Sequence, residues 1–172
     1  RHTLSLTVAM PLSDEDARDV ALLVSRLMAL GAPVVACHLV ILAYRAGLAG
    51  RSYTELDFIE VFAGVGAIAN GFWCNGFVGT TFDISNGSSQ DINGDTGFLF
   101  ALALCLRIRA CGLCWFAPLC SSWVWVATGS TFRSLAHPGG LLPGASVSYG
   151  NKMASRCVLL IWMTWLTPRP TP

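Results

Sequence analysis

Polar and apolar positions change rhythm twice along the chain. Ser13-Asp14-Glu15-Asp16 reads as a helix start, with Ser13 as cap and three acids at the positive end of the helix dipole. Val20, Leu23, Leu27 and Leu30 recur at helical spacing behind it, and Gly31 and Pro33 end the run. A second apolar helix is expected near Val34–Ala46, broken by Gly47 and Gly50. Residues 1–12 show no such order.

From residue 56 the pattern shortens. Leu56–Phe62 is an apolar run of strand length that turns through Ala63-Gly64-Val65-Gly66 into a helical stretch, Ala67–Cys74. Gly76–Ile84 reads as a second strand with Asp83 at its tip, and Ser85–Gly94 as a polar loop with Asn-Gly turn signals. Gly97–Arg109 reads as an apolar helix closed by two Arg and broken by Gly112. Leu113–Ala117 reads as a third strand, apolar on both faces. Residues 118–150 are rich in Ser, Gly and Pro. Asn151 is placed to cap a last helix that Pro168 ends. Strands alternating with helices predict an α/β fold with a doubly wound, mainly parallel sheet, preceded by a helical segment. The expected divisions are an N-terminal helical segment at 1–50, an α/β domain at 51–167 and a Pro-rich tail at 168–172.

Composition narrows the class. Only 12% of the 172 residues are charged and 53% are hydrophobic, which excludes intrinsic disorder. Twenty-five Pro and Gly without a Gly-X-Y period exclude collagen, and no heptad run suggests a coiled coil. The net charge of +1 hides an asymmetry. All ten acids lie at or before Asp95 with five Arg, a balance of −5; residues 96–172 hold no acid and carry Arg107, Arg109, Arg133, Lys152, Arg156 and Arg169. No global charge calls for nucleic acid, although a nucleic-acid partner stays open. Leu27–Tyr44 is uncharged over 18 residues, but Gly31, Pro33 and His38 interrupt it, so a membrane partner is not expected. Seven Cys at irregular spacing suit a reducing, intracellular compartment. Cys111 and Cys114 form a CxxC that Cys120 and His137 could complete as a zinc site, although small thiols in a buried strand explain it more simply.

Three features carry candidate chemistry. The Gly64-Val65-Gly66 turn brings bare backbone amides close to a ligand. Asp83 follows Gly64 by 19 residues, at the strand tip where ribose hydroxyls bind in Rossmann-type folds. Pro118-Leu119-Cys120 follows the third strand, where a thiol can serve as nucleophile. Trp115, Trp123, Trp125, Trp162 and Trp165 read as core packing ahead of a base-stacking platform, His38 as a core or cap residue, His137 as a turn residue and Arg133 as a solvated cation.

These residues resemble S-adenosylmethionine-dependent methyltransferases, and within them the cytosine-C5 branch. Phe62-Ala63-Gly64-Val65-Gly66 is similar to that family's first motif. GFLFALALCLRIRACGLCWFAPLCSSWVWVATGSTFRS and YGNKMASRCVLL resemble short methyltransferase-like proteins found in many copies in single-celled algae. The likeness spans about residues 55–162. It implies S-adenosyl-L-methionine as cofactor, held by Phe62, Ala63, Gly64, Gly66, Asp83, Ile84 and Asp95. Within that set Ile84 would lie against the adenine, and Gly94-Asp95 would contact its amino group. Cys120 would be the nucleophile.

The resemblance has gaps. In the family Pro stands directly before Cys, whereas Leu119 intervenes here. The family's Glu on the next strand has no counterpart after Asp95, and the strand itself gives way to Thr167-Pro168-Arg169-Pro170. The expectation is a cofactor half cut near residue 163, whose third strand is left with an apolar free edge that a partner chain would cover. A non-enzymatic remnant and a small membrane protein are the other readings.

Overall fold

The structure, a computed structural model, describes residues 11–47, 54–121, 123, 127–141 and 144–166, with backbone alone at 165 and 166. Gly50, Ser122, Val124, Trp125, Pro168, Arg169 and the tail at 168–172 therefore lie outside the described residues.

Ser13 caps α1 (Asp14–Ala29) as its sequence predicts, its hydroxyl oxygen accepting from the Asp16 amide at 3.1 Å. Val20, Leu23 and Leu27 are buried, but Leu30 is 56% exposed because the helix has already ended at Ala29. Gly31 takes a left-handed φ of 71° and Pro33 starts α2 (Val34–Arg45). His38, expected in the core or at a cap, is instead exposed within α2, since the helix buries Ala36, Cys37 and Val40 and is bounded by Pro33 and Ala46. The uncharged stretch 27–44 is thus bent into two short helices, and among the described residues no helix is long and apolar enough to cross a membrane.

The sheet has three parallel strands in the order β2-β1-β3, from β1 (Leu56–Val61), β2 (Gly79–Phe82) and β3 (Ile108–Phe116). Chain order therefore reverses direction at β1. One crossover, through α3 (Ala67–Cys74), leads to β2; the next, through α4 (Asp95–Cys105), returns past β1 to β3. Right-handed crossovers in opposite directions put their helices on opposite faces. Packing agrees. Phe58 of β1 stacks on Phe72 of α3, ring centres 4.8 Å apart. Ile59 and Val61 join the larger core with Leu27, Val40, Leu102, Cys105, Leu160 and Met163 from α1, α2, α4 and α6 (Ala145–Leu166). The result is a small parallel sheet flanked by helices, a mixed α/β fold.

Several expected boundaries move. The helix expected at 97–109 begins at Asp95 and stops at Cys105. It stops because the Leu56 amide donates to the Arg107 carbonyl at 2.8 Å, drawing the following residues into β3. Arg109 is consequently a strand residue paired with Asp57. Gly112 does not break a helix; it lies in β3 within a bulge. Between the pairs Leu56↔Ile108 and Phe58↔Leu113, β1 advances two residues and β3 five. A Cβ at Gly112 would come within 2.7 Å of Ile108 and 3.0 Å of the Asp57 carbonyl oxygen, so glycine is required there.

β3 is also not buried on both faces. Its burial alternates, leaving Leu113 39% and Trp115 46% exposed on the α3 side of the sheet, where α3 packs on β1 and β2 and stops short of β3. β3 is an edge of the described sheet. Finally, α6 starts at Ala145 and Asn151 is interior to it. The Asn151 side-chain amide donates to the Gly139 carbonyl at 2.8 Å, tying down the preceding loop in place of capping a helix.

Candidate functional site at the strand tips

All three strands end level. Val61 pairs with Phe82 on one side and Phe116 on the other, and the Ala117 amide donates to the Val61 carbonyl at 3.2 Å. The segments that follow, Phe62–Gly66, Asp83–Asn86 and Ala117–Cys120, therefore leave one edge of the sheet. The reversal of strand order at β1 makes this the edge where open α/β sheets hold ligands.

The glycine turn forms as its residues require. The Phe62 amide donates to the Phe82 carbonyl at 2.8 Å, and the backbone then enters left-handed space at Phe62 (φ 64°), Gly64 (52°) and Gly66 (68°). Gly66 caps α3, a conformation that costs a residue with a Cβ roughly 1–2 kcal/mol. Phe62 packs against the main core and Ala63 is buried, so these two build the turn, while Gly64 and Val65 face solvent.

Asp83 closes the turn from the neighbouring strand. Its Oδ2 accepts from the Gly64 amide at 2.9 Å and its Oδ1 from the Ser85 amide at 2.8 Å, while its own amide donates to Gln90 Oε1 at 2.9 Å. Burial would raise its pKa, but hydrogen bonds from Ser85 and from the Gly64 amide outweigh that and hold the carboxyl below its ordinary value. The carboxylate keeps acceptor capacity beyond these bonds for a ligand hydroxyl. Ile84 follows on an exposed single 3-10 turn.

One residue at this edge carried no role in the sequence reading. Glu60, buried in β1, accepts from the Ala69 amide at 2.8 Å through Oε2. Ala69 is the third residue of α3, so a carboxylate already faces the positive end of that helix. The signal was legible: an acid inside an apolar strand is buried and needs a partner.

The other expected site residues divide. Asp95, in the first turn of α4, is engaged by Arg156 of α6, whose hydrogen bond and charge, with Lys152 nearby, lower its pKa. Cys120 is exposed four residues past the end of β3, and its carbonyl accepts from the Trp123 amide at 2.7 Å. Arg133 is not a solvated cation. It is buried, lies 3.6 Å from the centre of the Trp123 ring and donates to the Pro138 carbonyl. Trp115 and Trp123 are nearly half exposed rather than core residues, because the alternation of β3 and the loop beyond it turn them outward; Trp162 does pack against the core. His137 sits in a turn with Ser134. Among the described residues no group of His, Cys, Asp or Glu has metal-binding geometry.

Three other thiols, Cys105, Cys114 and Cys157, meet elsewhere. Cys105 shares a hydrogen bond with Cys114 and is fully buried, both of which push its pKa well up; burial, with Cys114 nearby, raises Cys157 to about 11. Four cations of the second half are engaged by the fold: Arg107 on the Thr54 carbonyl and Arg109 on Asp57 near the surface, and Arg133 and Arg156 on loop carbonyls. A hollow of about 360 Å³ lies along α3, lined by Ala67, Ile68, Gly71, Phe72, Asn75 and Phe77, and none of the expected site residues lines it.

The chain matches no family model, no curated protein and no solved structure.

Proposed function

We propose that this chain is an S-adenosylmethionine-binding, methyltransferase-like domain with a partial Rossmann-like sheet. The observation that carries the reading is the closure of the glycine turn by Asp83 at the level strand tips. That arrangement suits a nucleoside: bare amides on one side, and a carboxylate that orients ribose hydroxyls on the other.

Charge selects among nucleoside cofactors. A dinucleotide places its pyrophosphate at the helix start after the glycine turn. Asp83 suits the ribose of either class, but Glu60 lies behind that helix start. A carboxylate there repels a phosphate and attracts a cation. S-adenosylmethionine has no phosphate and carries a sulfonium. When bound, it supplies an electrophilic methyl group. The chain's own residues would bind and orient it: Gly64 and Gly66 by permitting close approach, Asp83 by accepting from the ribose, Ile84 by covering the adenine.

Cys120 is the candidate nucleophile in this reading. A second reading, cofactor binding without methyl transfer, is favoured by Leu119 between Pro118 and Cys120 and by the absence of any Asp or Glu from residue 96 to residue 172. Calorimetric titration with S-adenosylmethionine, S-adenosylhomocysteine, NAD and ATP tests the shared core of both. Heat with the two adenosyl-sulfur ligands and none with NAD or ATP is expected. A folded chain that gives no heat at millimolar S-adenosylmethionine, or that prefers NAD, overturns it. Transfer of labelled methyl groups to a nucleic-acid, protein or small-molecule acceptor separates the first reading from the second.

A further inference from the structure

Arg133 is a buried cation in the half of the chain that holds no Asp or Glu. Burying a guanidinium is costly unless its N–H groups find acceptors. Nη1 donates to the Pro138 carbonyl in the loop that follows, and Nη2 to the Val147 carbonyl in the first turn of α6, at 3.5 Å. That loop is fastened to α6 at two further points. The Asn151 side-chain amide donates to the Gly139 carbonyl at 2.8 Å. A Cβ at Gly140 would lie 3.1 Å from Val147 Cγ1 and 2.6 Å from the Thr131 carbonyl oxygen, so the chain is pressed between α6 and the short helix α5 (Thr128–Thr131). Leu160 and Met163 of the same α6 are fully buried in the main core. The base from which Arg133 reaches out is therefore rigid.

What Arg133 reaches is the loop beyond β3. Its guanidinium carbon lies 3.6 Å from the centre of the Trp123 ring. Trp123 is 41% exposed, so burial alone does not hold the ring, and a desolvated cation on its face supplies the attraction that burial does not. The Trp123 amide in turn donates to the Cys120 carbonyl at 2.7 Å, closing the turn that carries the thiol. Contacts thus run without a break from Val147 through Arg133 and Trp123 to Cys120. Lysine could set a charge on the ring, but one ammonium has no planar fork with which to hold both carbonyls while lying over it.

We propose that Arg133 is a positioning residue that sets the Cys120 loop at the strand tips by clamping Trp123 to α6. The inference rests on the reading of Cys120 as the candidate nucleophile, because an attacking group must be held within about 0.5 Å of its productive place. Arg133 acts on the thiol through the Trp123 ring and the backbone turn.

The test alkylates the full chain with bromotrifluoroacetone, which labels the exposed Cys74, Cys111 and Cys120. Single Cys→Ser substitutions assign the fluorine resonances, and the melting temperature of each variant is recorded. In wild type the label on Cys120 is expected to resonate away from its position in the denatured chain. Arg133→Ala should remove most of that offset, with the Cys74 and Cys111 resonances unmoved, and should speed hydrogen exchange of the residue-123 amide by about tenfold or more. Trp123→Ala should move Cys120 in the same way, and the double variant no further than either, since both break one path. Trp123→Phe, which keeps an aromatic face for the cation, should retain most of the offset, and Arg133→Lys less of it. A Cys120 offset unchanged in folded Arg133→Ala, even with a lower melting temperature, marks Arg133 as structural only and overturns the inference. Losses that add in the double variant, or a wild-type Cys120 label already at its denatured position, overturn it too. Should Arg133→Ala prevent folding, Trp123→Ala decides, and an offset kept without the ring overturns the inference. Neither cofactor nor acceptor enters this measurement, so its failure leaves the cofactor reading standing, and absent cofactor binding in the titrations above leaves the clamp standing.

Discussion

The Gly64 amide and the Asp83 carboxylate meet at 2.9 Å, joining turns that are 19 residues apart in the chain. The bond makes Asp83 part of the wall of the candidate site before any ligand arrives. Asp83→Ala therefore removes acceptors from two amides as well as from a ribose. It is expected to cost about 1 kcal/mol of stability, since water can replace the lost acceptor at the exposed Gly64 and Ser85 amides, and to weaken S-adenosylhomocysteine tenfold or more. Asp83→Asn, with one acceptor oxygen in place of two, should fall between. Denaturant melts and titration check both, and wild-type affinity in Asp83→Ala would remove Asp83 from the site.

The same carboxylate sets an acid limit. Its folded-state pKa lies below the ordinary 3.8, so its contribution to stability is present above that value. It is lost as pH falls through the lowered folded value. Wild type should lose more stability than Asp83→Asn on acidification below about pH 4. Melts at stepped pH would show the two curves converging; parallel curves would speak against it.

Glu60 offers a test of charge without loss of shape. Glu60→Gln keeps an acceptor for the Ala69 amide and removes the charge behind α3. Stability should change by about 1 kcal/mol or less, whereas Glu60→Ala should cost about 1–3 kcal/mol. The preference for S-adenosylmethionine over S-adenosylhomocysteine, which lacks the sulfonium charge, should fall in Glu60→Gln. Titration of both ligands measures it, and an unchanged ratio would show that the ligand does not feel this carboxylate.

Thiol chemistry should follow burial. Cys74, Cys111 and Cys120 are exposed, whereas Cys105 and Cys157 are buried with raised pKa values. Alkylation of the native chain near pH 8, read by peptide mass, is expected to label the first three and spare the other two. Because Cys157 titrates at about 11 in the fold against an ordinary 9.0, stability is full below 9.0 and declines as pH rises toward 11. Cys157→Ala should flatten that decline.

Much of this was legible in the sequence where a local cause sufficed. Ser13, Gly31 with Pro33, and the Phe62–Gly66 turn each act on near neighbours, and α1, α2, β1 and α3 fall close to where those signals put them. Asp83 was legible through its spacing alone. The failures below share one cause, which is a partner that the local pattern does not name. Arg107 and Arg109 read as helix-closing charges until Leu56 and Asp57 draw them into β3. Asn151 reads as a cap until Gly139 takes its side chain. Arg133 reads as a solvated cation, yet its acceptors, like two of the three that Arg156 meets, are backbone carbonyls, which no residue pattern announces.

The uncovered half of β3 predicts association. Leu113 and Trp115 present an apolar strip beside the edge of the described sheet, which the bulge around Cys111–Gly112 interrupts. Leu113→Lys with Trp115→Lys should leave the melting temperature within a few degrees, since both side chains are already partly in water, and should lower light scattering at high concentration. Equal scattering from both proteins would place the association surface elsewhere.

The two faces of the sheet are unequally guarded. Among the described residues α4 and α6 pack on the Ile59 and Val61 side with α1 and α2 behind them, while the other side is covered by α3, eight residues long and fastened by Phe58 against Phe72 and Trp73, the Trp73–Gly79 bond and the Glu60 bond. So short a helix has little persistence of its own. Amide protons of α3 should then exchange in seconds to minutes while those of α4 and α6 outlast them by orders of magnitude, because local opening on the thin side leaves the thick side intact. The glycine turn rides on that thin side. A ligand gripping it would do the work of a missing layer, and the slowing of exchange at Ala67–Cys74 would report its arrival before any chemistry takes place.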